Sequence, residues 1–405
     1  MLRSLTVSSA FLLLSASVAY AQDTRAEALE RQRAEKAKQT SELVPSKIER
    51  GLIWFERKRP LLWIAPYNGF FVTYGYSEKP VGSGIGFGGG WRHDLFERNA
   101  RLVLEGGQTF RGYLFGKADF SLPRLLDERL ELGAFGKYRR ETQEDFYGLG
   151  IDTSKDDRTD YRYEAPEFQG RALFRPTSWF TTGVRGGRTD VKVEDGSDVR
   201  FPDISRLYGP ATAPGLNVQP AFIYGDVLAA IDLRDQPIGP RAGAYYSVVW
   251  RRYSDREFER FSFNRLDADF QHFIPFLHRK RVIATRVQVQ TTAADSGNVV
   301  PFYFQPTLGG SENLRSASDY RYRDGSVVNG TLEYRFEVHS GLDVALFTDQ
   351  GTVAPRFRDI DWGRLKGAYG IGFRFNALQN VWMRLDIAGG GNDGIHGFFK
   401  FSGTF

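Results

Sequence analysis

From residue 68 to residue 405, short segments of this chain alternate apolar and polar side chains with a period of two, and the charges fall on the polar side. Leu332, Tyr334, Phe336 and Val338 share one phase, and Thr331, Glu333, Arg335 and Glu337 the other. Ile371, Phe373 and Phe375 oppose Gly370, Gly372 and Arg374. Val381, Met383, Leu385 and Ile387 oppose Trp382, Arg384 and Asp386. A period of two is the strand signature. A soluble barrel would bury the apolar set, whereas a membrane barrel turns it to lipid and points the charges into a wet lumen.

Two features choose between these. Arg3, the short apolar run "AFLLLSASVA" and the small-x-small Ala19-Tyr20-Ala21 read as an export signal over 1–21, so the mature chain is expected to begin at Gln22. The chain has no cysteine, so an exported protein of this size would have no disulfide framework. It has no run of 18 apolar residues, and its mean hydropathy is −0.39. Yet 15% of its residues are aromatic, including 33 Phe and 19 Tyr. Lipid-facing and lumen-facing residues in a barrel average to such a polar hydropathy. The net charge of +5 is modest and points to no nucleic-acid partner.

Residues 22–44 favour helix without an apolar stripe, and 45–67 read as a Pro- and aromatic-containing linker. Beyond them sixteen strands are expected: 68–76, 84–93, 100–107, 110–121, 129–140, 159–174, 178–192, 217–233, 242–255, 258–275, 279–293, 326–338, 342–354, 365–377, 380–391 and 396–405. Alternate connections are short and are assigned to the periplasm. The others, including 141–158, 194–216, 294–325 and 355–364, hold the long segments and are assigned outside. The expectation is an all-β, 16-stranded antiparallel transmembrane barrel over 68–405, behind a helical extension and linker over 22–67. In the last segment, Phe399, Phe401 and Phe405 share one face, with Phe398, Lys400, Ser402 and Thr404 on the other. A terminal Phe405 at the end of such a strand reads as an assembly signal for barrel insertion, although an ordinary amphipathic strand would look the same.

Sites for chemistry are hard to find. "GIGFGG" (Gly84, Gly86, Gly89) matches a dinucleotide-binding pattern, but no helix follows it. The five histidines are scattered, and no G-x-S-x-G elbow is present. The acidic stretch "ETQEDFYGLGIDTSKDDRTDY" could hold a divalent cation but reads first as a solvated loop facing lipopolysaccharide. No enzyme, cofactor or metal site is expected.

Residues 308–326, "LGGSENLRSASDYRYRDGS", are different. They place Gly309 and Gly310, then Leu314-Arg315, then Arg321-Tyr322-Arg323-Asp324, ahead of the strand Glu333-Tyr334-Arg335-Phe336 and of Phe347-Thr348-Asp349-Gln350-Gly351. In order and spacing this resembles the BamA/TamA family of outer-membrane assembly barrels, the bacterial surface antigen family. "DLRDQPIGPRAG" (232–243) and "FYGLG" (146–150) resemble it too. The resemblance departs at Ser316-Ala317, where the family has a glycine and an aromatic. The 46 residues at 22–67 also leave no room for the family's POTRA domains, so a short member without them is expected.

The resemblance implies that the long loop folds into the barrel and that its arginine pairs with acids of the inner wall. Strand phase separately directs Glu333 and Asp349 into the lumen on adjacent strands, where Arg315 would reach both by charge-assisted hydrogen bonds. The bland alternative is a solvated loop arginine above unrelated lumen acids. The implied role is protein or lipid assembly or translocation in the bacterial outer membrane. The expected partners are outer-membrane lipids, lipopolysaccharide and the barrel assembly machinery. The alternative is a passive channel or structural barrel that has lost the assembly role. The resemblance does not name the client.

Overall fold

A computed structural model describes residues 68–74, 84–339, 341–377, 380–391 and 393–401. The expected export signal, the 22–67 extension and linker, and Phe405 lie outside the described residues. The strands are β1 (Gly69–Tyr74), β2 (Gly86–Leu95), β3 (Ala100–Thr109), β4 (Leu114–Leu125), β5 (Leu130–Phe146), β6 (Thr159–Thr177), β7 (Phe180–Asp190) and β8 (Lys192–Asp195). There follow β9 (Ala221–Asp232), β10 (Gly243–Asp255), β11 (Phe263–Phe276), β12 (Arg281–Ala294), β13 (Thr307–Leu308) and β14 (Tyr322–Arg323). The chain closes with β15 (Ser326–His339), β16 (Leu342–Ala354), β17 (Lys366–Ala377), β18 (Asn380–Gly391) and β19 (Gly394–Phe401). Seventeen of these form one antiparallel sheet in which each wall strand pairs with the next along the chain. β7 and β8 are two stretches of one stave along β6, so among the described residues the wall has the expected sixteen staves. β13 and β14 form a separate two-stranded ribbon within the long loop between β12 and β15.

The faces sort as the alternation requires. Phe120, Phe168, Trp250, Phe270, Leu332 and Leu346 are exposed on the outside, whereas Asp226, Glu333, Asp349, Arg374, Arg384 and Asp386 are buried. An apolar outside and a charged inside are stable together only where the outside meets lipid. The inner charges are paired from strand to strand: Arg185 and Arg251 both donate to Asp226, each at 2.7 Å, and Arg171 bridges Asp119 and Glu131.

One end of the wall carries tight turns at 96–99, 126–129, 178–179 and 277–280, with a longer one at 233–242. The other carries 147–158, 196–220, 256–262, 295–325 and 355–365, although its 110–113 connection is short. Some boundaries differ from the sequence reading. Residues 141–146 are not loop but the end of β5, which pairs with β6 out to Phe146↔Thr159 through a bulge near Glu141. Glu141 and Glu144 are buried there, so the solvated-loop reading is corrected for 141–146, whereas Asp152, Asp156 and Asp157 further on are exposed in the loop. The strand expected from 258 starts at Phe263, because Asp255 accepts the backbone N–H groups of Glu257, Phe258, Arg260 and Phe261 and curls the chain into a turn. The strand expected over 110–121 is shifted to 114–125, because 109–112 closes a turn through the Gly112 N–H on the Thr109 carbonyl.

At the long-loop end the strands rise past the apolar band and enclose an aromatic cluster that includes Phe146, Tyr161, Phe222, Tyr253, Phe263 and Phe302. Tyr253 and Phe263 stack with centroids 4.7 Å apart. Phe302, Tyr303 and Phe304 enter this cluster from the β12–β15 loop, so the loop is held from above by apolar packing.

Because the chain lacks cysteine, single-cysteine variants report its topology directly. Lys155→Cys, in the 147–158 loop, should react with an impermeant maleimide on intact cells. His278→Cys should react only after the membrane is permeabilised. Labelling of His278→Cys on intact cells would overturn the assignment of the short turns to the inner side.

Candidate functional site

The loop between β12 and β15 enters the lumen and presents Arg315 to the inner wall. Two left-handed glycines shape its entry, Gly309 at φ +133° and Gly310 at φ +90°. A Cβ on Gly309 would lie 2.3 Å from the Ser318 carbonyl oxygen, so the close approach of the two limbs also requires glycine there. Asn313 fastens the bend by accepting the Gly309 N–H and donating to the Thr307 carbonyl.

The Arg315 side chain is 4% exposed. Its Nε and Nη2 donate to the two oxygens of Asp349, at 2.8 and 2.7 Å, and its backbone N–H donates to the same carboxylate at 3.2 Å. Nη1 donates to Glu333 Oε1 at 2.8 Å and reaches Asp386 Oδ2 at 3.5 Å. The guanidinium lies over the Phe347 ring, 3.3 Å from its centroid. Three wall cations complete the cluster. Arg335 and Arg374 both donate to Glu333, at 2.8 and 3.0 Å; Arg374 also pairs with Asp386, and Arg384 Nε lies 2.8 Å from Asp386. Four guanidiniums thus share three carboxylates drawn from β15, β16 and β18. The wall residues alone balance in charge, and the loop adds one cation.

The structure therefore brings together Arg315, Glu333 and Asp349, with Asp349 as the bidentate partner. The sequence reading named Asp386, Arg335, Arg374, Arg384 and Phe347 in its strand patterns and motifs but did not place them beside Arg315. All five lie on the inward phase of their strands, and that phase was the available signal. Their convergence depends on strand register, which places Gly372 opposite both Ala345 and Asp386 and lets long side chains meet over a position without one. The residues of the departure, Ser316 and Ala317, are closely held. Both residues are buried, Ser316 Oγ donates to the Gly367 carbonyl at 2.9 Å, and a Cβ on Gly391 would lie 3.0 Å from Ser316 Oγ. Little space is left at this position.

Arg321 and Arg323 do not join the cluster. Arg321 donates to Thr153 Oγ1 at 2.9 Å, pairs with Asp393 at 3.4 Å and sits over the rings of Tyr147 and Tyr322. Arg323 donates to the Phe302 carbonyl at 2.8 Å, and its own carbonyl accepts the Gly150 N–H at 2.8 Å. "FYGLG" is thereby tied to "RYRD", two motifs far apart in the chain. Lys400 on β19 pairs with Glu312. "DLRDQPIGPRAG" lies at the short-turn end, where Arg241 reaches Asp343 on β16 at 2.7 Å and the Arg279 carbonyl at 2.9 Å.

Replacing Arg315 with Ala strips Asp349 of its cation and leaves it the 2.9 Å hydrogen bond from Thr331 Oγ1 and the 3.2 Å bond from the residue 315 backbone N–H. Breaking a buried pair in this way costs about 3–5 kcal/mol. The loop of Arg315→Ala should be cut faster by added protease, and the barrel should lose its heat-modifiable gel shift at a lower temperature. Arg315→Lys should recover part of this, since an ammonium lacks the planar fork. Glu333→Gln should be worse than Asp349→Asn, because three guanidiniums converge on Glu333 and one on Asp349. Equal melting of the two variants would refute this ranking.

A pH effect arises elsewhere in the loop. Burial pushes the Asp319 carboxyl up from 3.8 to about 6, with Asp145 adding repulsion. A carboxyl raised on docking favours the docked loop when protonated, so its contribution weakens as pH rises from about 4 through 6. Protease resistance of the loop should therefore increase between pH 7 and pH 5, and Asp319→Asn should flatten that dependence.

The Omp85 superfamily domain matches residues 95–402. Among solved structures, BamA from Haemophilus ducreyi lacking POTRA domains 1–3 superposes with a TM-score of 0.61 at 17% identity, over 83% of this chain and 70% of that one. CdiB from Acinetobacter baumannii gives a TM-score of 0.47 at 13% identity, over 83% of this chain and 59% of that one. No curated protein matches in sequence. The matched domain spans most of the barrel, both limbs of the docked loop and every member of the charge cluster, and on that match the chain belongs to the Omp85 superfamily.

Proposed function

We propose that this barrel assembles or translocates a protein or lipid client in the bacterial outer membrane, with the Arg315 loop as the element whose docking sets the working state. The carrying observation is that one loop cation is shared among Asp349, Glu333 and Asp386. A loop that only closed a pore would need no charge cluster of this density. The family match supports the reading, because Omp85 barrels are outer-membrane insertases and transporters. The expected working surroundings are lipopolysaccharide, outer-membrane lipids and, during biogenesis, the barrel assembly machinery that reads Phe405. Export by the 1–21 signal belongs to the same proposal.

A passive channel is the competing reading. The loop and its aromatic neighbours occupy the lumen, which disfavours a permanently open pore.

Deletion of the gene should alter the protein or lipid composition of the outer membrane. Wild-type chain should restore it, and Arg315→Ala, expressed at matched barrel levels, should not. In planar bilayers the wild type should show small, flickering currents and Arg315→Ala larger ones. An unchanged envelope on deletion, with large steady wild-type currents, would establish the passive channel instead. Phe405→Asp should lower the assembled barrel and leave precursor in the periplasm; normal insertion would remove the terminal residue as the signal.

A further inference from the structure

Three short turns share an unusual conformation. Phe96, Glu97 and Arg98 have φ of 50, 56 and 74°; Leu126, Asp127 and Glu128 have 50, 57 and 67°; Leu277, His278 and Arg279 have 48, 56 and 63°. These are nine left-handed residues, none of them glycine, in a region that L side chains rarely adopt. Each turn closes the same way, with the Asn99, Arg129 and Lys280 N–H groups donating to the Phe96, Leu126 and Leu277 carbonyls. Each opens on a large apolar side chain left in the open: Phe96 is 76% exposed, Leu126 66% and Leu277 58%. Glycine would form such a turn with less strain, so the side chains at the tips call for an explanation.

Their surroundings supply one. The tips prolong apolar lanes of the outer wall. Ile274 and Phe276 on β11 are exposed just before Leu277, and Trp179 is exposed at the β6–β7 turn, next along the wall from the Leu126 turn. A cation stands next to or near each tip: Arg98, Arg129 and Lys280 are exposed. An apolar tip continuous with the lipid-facing band, beside an exposed cation, fits the boundary between acyl chains and anionic headgroups.

We propose that these turns are anchors in the periplasmic phospholipid leaflet. Phe96, Leu126 and Leu277 sit at the acyl boundary, and Arg98, Arg129 and Lys280 contact lipid phosphate. The left-handed triple is the backbone form that keeps a large side chain at the tip of so short a turn. The anchors fix the depth of the wall, and so the level at which its inner machinery sits relative to lipid. This assignment rests on the turns and not on the proposed role of Arg315.

The chain carries no cysteine, so Phe96→Cys, Leu126→Cys and Leu277→Cys can each bear one environment-sensitive dye. The barrels are refolded into phosphatidylethanolamine/phosphatidylglycerol vesicles, and folding is checked by gel shift. The three dyes should emit blue-shifted, resist aqueous acrylamide, and be quenched by lipid spin-labelled near the glycerol. Asp127→Cys, one residue beyond a tip, should remain open to acrylamide. Adding Lys280→Glu to Leu277→Cys should restore acrylamide quenching several-fold; unchanged shielding would overturn the phosphate contact. If all three tip dyes behave as fully aqueous, the anchor is overturned and the tips belong to a periplasmic protein partner.

Discussion

A guanidinium buried among three carboxylates and an aromatic ring is the interaction on which the interior depends. Burying an isolated charge is strongly unfavourable, and a pair recovers that cost only with good geometry and further hydrogen bonds. Arg315 meets both conditions: a bidentate contact to Asp349, a second anion in Glu333, a third within 3.5 Å, and a π face beneath. The wall acids are restrained in turn, Glu333 by Arg335 and Arg374 and Asp386 by Arg374 and Arg384. The loop therefore enters a site whose carboxylates are already oriented.

The interior consists of ion pairs where a soluble domain would have a core. With lipid outside, the apolar residues face outward, and the inside must be stabilised by polar partners or filled by inserted chain. Both solutions occur in this barrel. Midway along the wall the pairs are charged, as at Asp226 and Glu333. At the long-loop end the inner face becomes aromatic and receives Phe302 and Phe304 from the loop. The loop is thus held by electrostatics at its tip and by apolar packing at its base, and these respond differently to salt and temperature.

Contacts between distant motifs give the loop its other restraints. Arg323 joins the "FYGLG" segment through Gly150, Arg321 reaches Thr153 and Asp393, and Glu312 reaches Lys400 on the last described strand. Movement of the loop must therefore disturb the β5–β6 loop and the β18–β19 hairpin together. Ser316 shares this close packing: its Oγ donates to the Gly367 carbonyl, and a Cβ on Gly391 would lie 3.0 Å from it.

Much of this architecture could be read from local sequence. Period-two alternation yielded sixteen staves and their inward phases, because a side chain's face in a strand depends only on parity. The same parity placed Glu333 and Asp349 inside, and the ordered motifs identified Arg315 as the loop residue to watch. Strand ends were less accurate where a side chain captures backbone N–H groups, as Asp255 does, or where pairing continues beyond a bulge, as at Glu141–Phe146. Tertiary structure alone decided the height at which inward residues meet. Asp386, Arg374 and Arg384 were legible as lumen residues but not as neighbours of Arg315, because register between strands, unlike parity within one, is set by turns and bulges that couple residues far apart in the chain.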